Sequence, residues 1–136
     1  MSLSGMRSKI DTALATISGL NHYGGVPSVA NPPFAFPSLR PQDPVTYDFT
    51  AQNSKLVYHF YIEIGINMGG ALEQAQDDLD PYLQNTGTTS IKAVIEAINW
   101  GTDADVCRVM GVANYGPAMY GGTQFLCARL ALDVWV

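Results

Sequence analysis

Three patterns predict an α+β fold, with helices packed on one face of alternating strands. One is strict alternation. Leu56, Tyr58, Phe60, Ile62, Ile64 and Ile66 fall at every second position and share one face of a strand. Another is helical spacing, in Ile10, Ala13, Leu14 and Ile17 near the start and again in Ile91, Val94, Ile95 and Ile98. The third is a closing pair of alternating segments, 106–112 and 126–136, that reads as a hairpin. The 136 residues fit one domain, 1–136, and a chain of this length buries roughly two-thirds of its unfolded surface.

The first helix is expected over 3–18, ended by Gly19, with Arg7, Lys9 and Asp11 off its apolar stripe and facing water. Residues 20–44 are irregular and rich in proline: Pro27, Pro32, Pro33, Pro37, Pro41 and Pro44. Proline lacks a ladder donor, so a strand here is short or at an edge. Phe34-Ala35-Phe36 is the candidate, with both rings on one face. Val45, Tyr47 and Phe49 then alternate with Thr46, Asp48 and Thr50, and a turn at 51–54 leads into the long strand. The second face of that strand carries Val57, His59, Tyr61, Glu63 and Gly65. It is half polar, so it meets either solvent or a neighbouring subunit, and His59 and Tyr61 are candidates for partner contact.

Asn67-Met68-Gly69-Gly70 breaks the strand. A second helix sets Leu72, Ala75, Leu79, Tyr82 and Leu83 on one side and Glu73, Gln74, Gln76, Asp77, Asp78 and Asp80 on the other. Pro81 costs about 3 kcal/mol inside a helix and is accepted in a first turn, so a kink or restart is expected near Asp80. Gly87 ends this unit, and Thr88, Thr89 or Ser90 caps the third helix. In the closing hairpin, Val106, Arg108, Met110 and Val112 are expected on one face, with a loop over 115–122. Leu126, Ala128, Leu130, Leu132, Val134 and Val136 share a face of the last strand. The C-terminal strand and 46–50 are candidate exposed sheet edges.

Composition narrows the function. A net charge of −5 and only seven scattered basic residues do not suit phosphate binding, which needs clustered Lys and Arg. Charged residues make up 14% of the chain against about 25% in ordinary domains, which suits burial against copies or partners. No apolar run reaches the 18 or so residues of a membrane span, and the N-terminus carries no secretory pattern, so synthesis in a cytosol is expected. Cys107 and Cys127 form no disulfide framework; a regular hairpin puts them on one face as a pair of buried thiols.

Chemistry is sparse. His22 and His59 have no ligand spacing around them, so no metal is expected. The acids Glu73, Asp77, Asp78 and Asp80 have no base, electrophile or metal partner and read as a solvated helix face. No GxSxG elbow or phosphate-cradling loop is present, and Gly24-Gly25, Gly69-Gly70 and Gly121-Gly122 read as turns. Neither catalysis nor a cofactor is expected. The segment 114–122 holds Tyr115, Met119 and Tyr120, residue types enriched at interfaces. Two readings stand for it: a docking element, or a hairpin loop folded back on its own sheet.

The order of elements carries a resemblance. A helix ending in ISGL is followed by NPPFAF, TYDFT, YHFYIEIGI, LEQAQDDLDPYL, NTGTTSIKAVIEAI and a closing hairpin. Over nearly its whole length the chain resembles the tail terminator (tail-to-head joining) proteins of long-tailed bacteriophages of the siphophage type. It is sharpest over 31–36 and 79–98, and it differs from that family's usual look at Pro81 and in the uncharged 67–70. The resemblance implies an α+β subunit with a central, mostly antiparallel sheet flanked by helices, in a virion protein of the tail or neck assembled in the host cytoplasm. Six copies would form a ring on the tail tube protein, end tube growth and meet the head connector or adaptor protein. DNA would pass through the ring without specific binding. A head-completion or adaptor protein, or a tail-tube subunit of the same virion, is the alternative, and a small enzyme is a further class.

Overall fold

The structure is a computed structural model that describes residues 3–48, 55–68, 72–101, 104, 106–120 and 122–136. Its order is α1 (Leu3–Leu14), β1 (Asn21–His22), β2 (Phe34–Leu39), β3 (Val45–Asp48), β4 (Lys55–Asn67), α2 (Leu72–Leu79), a 3-10 turn (Asp80–Leu83), α3 (Ile91–Glu96), β5 (Val106–Tyr120) and β6 (Thr123–Trp135). The expected α+β architecture is present. One six-stranded sheet runs β1-β2-β4-β6-β5, with β3 also pairing β4. Every pairing is antiparallel except the two-residue contact of β1 with β2.

Alternation along β4 and β6 decides the layers. Phe60, Ile62, Ile64 and Ile66 lie opposite Leu132, Leu130, Ala128 and Leu126, and all eight are buried. On this face sit Met6, Ile10 and Leu14 of α1, Ala75 and Leu79 of α2, and Ile91 and Ile95 of α3, in one apolar core. Helices this short gain their stability from such packing more than from propensity. α1 stops at Leu14 rather than Ser18, and Ile17 reaches the core from the turn that follows. Lys9 does not simply face water: its Nζ donates to the carbonyls of Asn99 and Trp100, each at 3.2 Å, and so ties α1 to the end of α3.

Pro81 restarts the chain as expected. α2 ends at Leu79 and the 3-10 turn carries Pro81 in its first positions, where no intrahelical donor is needed. Of the three candidate caps of α3, Ser90 serves: its hydroxyl accepts from Ala93 N–H at 3.1 Å and donates to the Gln84 carbonyl. The bulky Phe34 ring occupies the space over Gly65, its cross-strand partner. Phe49, Thr50 and the turn at 51–54 lie outside the described residues.

The closing hairpin differs from the expected one in four ways. Residues 115–120 are strand, not loop, because β5 continues to Tyr120 with β6 as its partner. Two register irregularities, at Val109/Gly111 and Ala113/Gly116, interrupt it, and Asn114 takes a positive φ of 54° at the second. The first bulge reverses the facing: Val106 and Arg108 pair with Trp135 and Asp133 on the face away from the helices, while Val112 pairs with Leu130 on the helix face. Cys107 pairs with Val134 and Cys127 with Gly65, so the two free, buried thiols sit on opposite faces. Finally, β6 is interior, between β4 and β5; the long open edge is β5.

Candidate interaction surface

The face of the sheet opposite the helices holds the chain's polar chemistry, placed by the odd positions of β4 and β6. Glu63 and Arg129 are direct cross-strand partners. Glu63 is only 5% exposed; its carboxylate accepts from Arg129 Nε and, at 2.7 Å, from the Tyr120 hydroxyl. Burial alone lowers the Arg129 pKa, but the Glu63 charge and hydrogen bond outweigh it and raise it. The Arg129 guanidinium lies 5.3 Å from the centre of the Tyr61 ring. Burial, and then Glu63, drives the Tyr120 hydroxyl well above its usual range.

Beside this network the Tyr120 ring stands edge-on to Phe34 and Phe36, at 5.5 and 5.8 Å, and Phe34 and Phe36 stack at 6.0 Å. Phe125 and Cys127 complete the cluster under Ala30 and Tyr23. Burial, with Glu63 adding to it, pushes the Cys127 thiol up to about 12. One row further along, His59 Nδ1 lies 2.5 Å from Asp133 and Nε2 lies 2.9 Å from Thr46 Oγ1. These groups are cross-linked to one another and so hold strands in register.

The residues expected at a partner interface therefore divide. Tyr120, Tyr61 and His59 are partly buried and engaged within the chain. Tyr115 and Met119 are exposed on β5, Met119 to 66%, and the Tyr115 hydroxyl donates to Asp80 at 3.2 Å. Burial and that bond raise the Tyr115 pKa. Val106, Met110 and Val112 are further exposed apolar side chains of β5, and Tyr47 of β3 is 61% exposed at the opposite edge. Sequence alternation alone does not reveal this concentration, because it does not say which strand ends the sheet.

The acids Glu73, Asp77, Asp78 and Asp80 are exposed, and Asp78 accepts from Gln74 at 2.9 Å. His22 sits 2.7 Å from Asp11, apart from His59 and its Asp133 partner. Among the described residues no group of three or more His, Cys, Asp or Glu is placed to hold a metal, and no helix is long and apolar enough to cross a membrane. No protein-family model and no curated protein matches the sequence.

Proposed function

We propose that this chain is a ring-forming structural subunit of a long-tailed phage virion. It caps the tail tube as a hexamer, ends tube growth and joins the tail to the head connector or adaptor protein, with DNA passing through the ring. One observation carries the assembly part of this reading. The strands β3, β4, β6 and β5 are antiparallel throughout, and β3 and β5 each leave one edge open. Copies set side by side in one orientation therefore bring β3 of one against β5 of the next, again antiparallel. Such a contact joins two different surfaces, and a contact of that kind closes into a ring when its rotation permits. The exposed apolar side chains of β5, with Tyr47 on β3, fall on these two edges.

The edge is also guarded. Two bulges divide the register of the long β5 strand into three runs, and Pro117 in the last of them lacks an N–H. That favours a limited, specific contact over open-ended sheet growth. The virion role rests on the order of sequence elements set out above, and the net charge of −5 suits a channel wall that DNA must not stick to. Native mass measurement and electron microscopy of the purified chain, alone and with tail tube protein, test the proposal. Closed rings that bind tube ends support it. Long tubes of this chain alone assign it to the tube, and a chain that stays monomeric with every partner sinks the ring.

A further inference from the structure

Hydrogen-bond directions decide what the β5 edge can offer. Leu56 and Val136 exchange backbone N–H···O bonds at 3.4 and 2.9 Å. Bonding alternates along an antiparallel pair, and the β4–β6 register is unbroken. Even-numbered residues of β6 therefore bond β4, and odd-numbered ones face β5. Cys107, Val109, Val112, Pro117 and Met119 of β5 stand opposite even-numbered residues of β6. Their backbone groups thus point to the open side, where the sheet ends. Among the described residues, two unbroken runs hold a pair of such positions: Cys107 with Val109, and Pro117 with Met119. The second pair is short of a donor, because proline has no N–H. In the first, Val109 N–H is already occupied: it donates to Glu96 Oε2 at 3.0 Å.

The β3 edge offers the complement. His59 N–H donates to the Pro44 carbonyl at 2.9 Å, so by the same alternation Thr46 bonds β4 while Val45 and Tyr47 point outward. Two outward positions, two residues apart, match Cys107 and Val109 in antiparallel register, with Tyr47 opposite Cys107 and Val45 opposite Val109. The faces agree as well. Val45 stands beside Tyr58 on the helix face, where Cys107 and Val109 also lie. Glu96 is the last residue of α3, where a negative charge opposes the helix dipole. The helix gains nothing from an acid there; the edge does, since a carboxylate on an open N–H shuts that run to strand addition. We infer that Glu96 is a displaceable guard of the β5 edge, and that β3 of a second copy replaces it on Val109 when copies join. Val109 N–H then donates to the Val45 carbonyl, and Val45 N–H to the Val109 carbonyl. The Glu96 side chain is 29% exposed and its other oxygen is paired with Lys92 at 2.8 Å, so it swings into water with its counter-ion. This rests on the side-by-side assembly proposed above and supplies its register and its control.

The test uses the full chain: wild type, Glu96→Gln, Glu96→Ala, and Glu96→Ala combined with Val45→Pro. Native mass across a concentration series reads association between copies, and thermal melts establish that each variant is folded. Glu96→Ala is expected to raise association about tenfold, since one charge-assisted hydrogen bond no longer has to break on joining. Glu96→Gln keeps an amide oxygen on Val109 and is expected to raise it less. It also keeps the shape of the side chain, and so carries the test should Glu96→Ala not fold. Val45→Pro removes one outward N–H and spares the bonds to β4, as proline does on an edge strand; it is expected to cancel the gain. Amide exchange at Val109 is expected to be faster in monomeric Glu96→Ala than in wild type and to slow again on assembly. A folded variant at Glu96 that associates no better than an assembling wild type overturns the guard and leaves the ring standing. A gain that survives Val45→Pro overturns β3 as the strand that takes its place. Wild type and Glu96→Ala that both stay monomeric overturn the ring, and the contact with it.

Discussion

The Phe34 ring lies where a side chain on Gly65 would stand. A Cβ built at Gly65 comes to 2.2 Å from Phe34 Cζ and 2.5 Å from Cε1. Phe34 is fully buried and clasped by Phe36, Tyr120 and Phe125, so it cannot swing away cheaply. Gly65→Ala is expected to destabilise the fold by ~1–3 kcal/mol, as overpacking does in a filled core. The urea midpoint measures it, and an unchanged midpoint would show that the ring yields.

Glu63 holds two donors in a water-poor place. In Glu63→Gln the Arg129 charge loses its counter-ion, and the Tyr120 hydroxyl keeps at best a neutral acceptor. Arg129 retains about a third of its side chain in water, which softens the loss. The expected cost is ~1–3 kcal/mol, below that of breaking a fully buried pair. Glu63→Ala should cost more, since it also opens a void. Thermal melts of both variants give the order.

Alkaline pH should unfold this chain through Cys127 and Tyr120. Both groups ionise to anions, and burial raises both folded values above the ordinary 9.0 and 10.0. A raised folded pKa means stability that is whole below the unfolded value and lost as pH climbs toward the folded one. For Cys127 that window runs from 9.0 to about 12. Stability against pH should fall above 9, and Cys127→Ala should flatten part of the slope. At pH 8 the native chain should react slowly with thiol reagents at both cysteines, since both thiols are buried and their pKa values raised.

Ser90 is fully buried and bonded in both directions, to Ala93 N–H and the Gln84 carbonyl. Ser90→Ala removes the cap of α3 and leaves that carbonyl short of a donor. A loss of ~1–2 kcal/mol is expected, seen as a lower denaturation midpoint. Ser90→Thr, which keeps the hydroxyl, should recover part of it.

The β5 edge can be tested apart from the fold. Met110 and Val112 are exposed, so Met110→Lys with Val112→Lys should leave the monomer's melting temperature within about 1–2 °C of wild type. Charged side chains on an edge oppose strand pairing, so association between copies should fall sharply. Equal assembly of wild type and double variant would remove β5 from the contact.

Much of the fold is legible in the residues. The alternation of Leu56–Ile66 and the stripe of Ile10, Leu14 and Ile17 name the core by themselves, because burying one face is what makes a strand or a helix stable here. Pro81 and Ser90 announce a restart and a cap through local backbone chemistry, and the structure places both where they are needed. The hairpin was not legible in the same way. Alternation counts positions, and a bulge adds one, so the extra residue near Met110 sends Val112 to the face opposite that of Val106 and Arg108.

Local physics, then, determined from the sequence alone the helices, the long strand β4 and their apolar sides, since period, capping and proline restriction act within a few residues. Strand order is a matter of contacts far apart in the chain. Only the tertiary structure could put β6 inside and β5 outside and set Glu63 against Arg129 across 66 residues. The surface that another molecule meets depends on that order, because a strand offers its free edge only where the sheet ends.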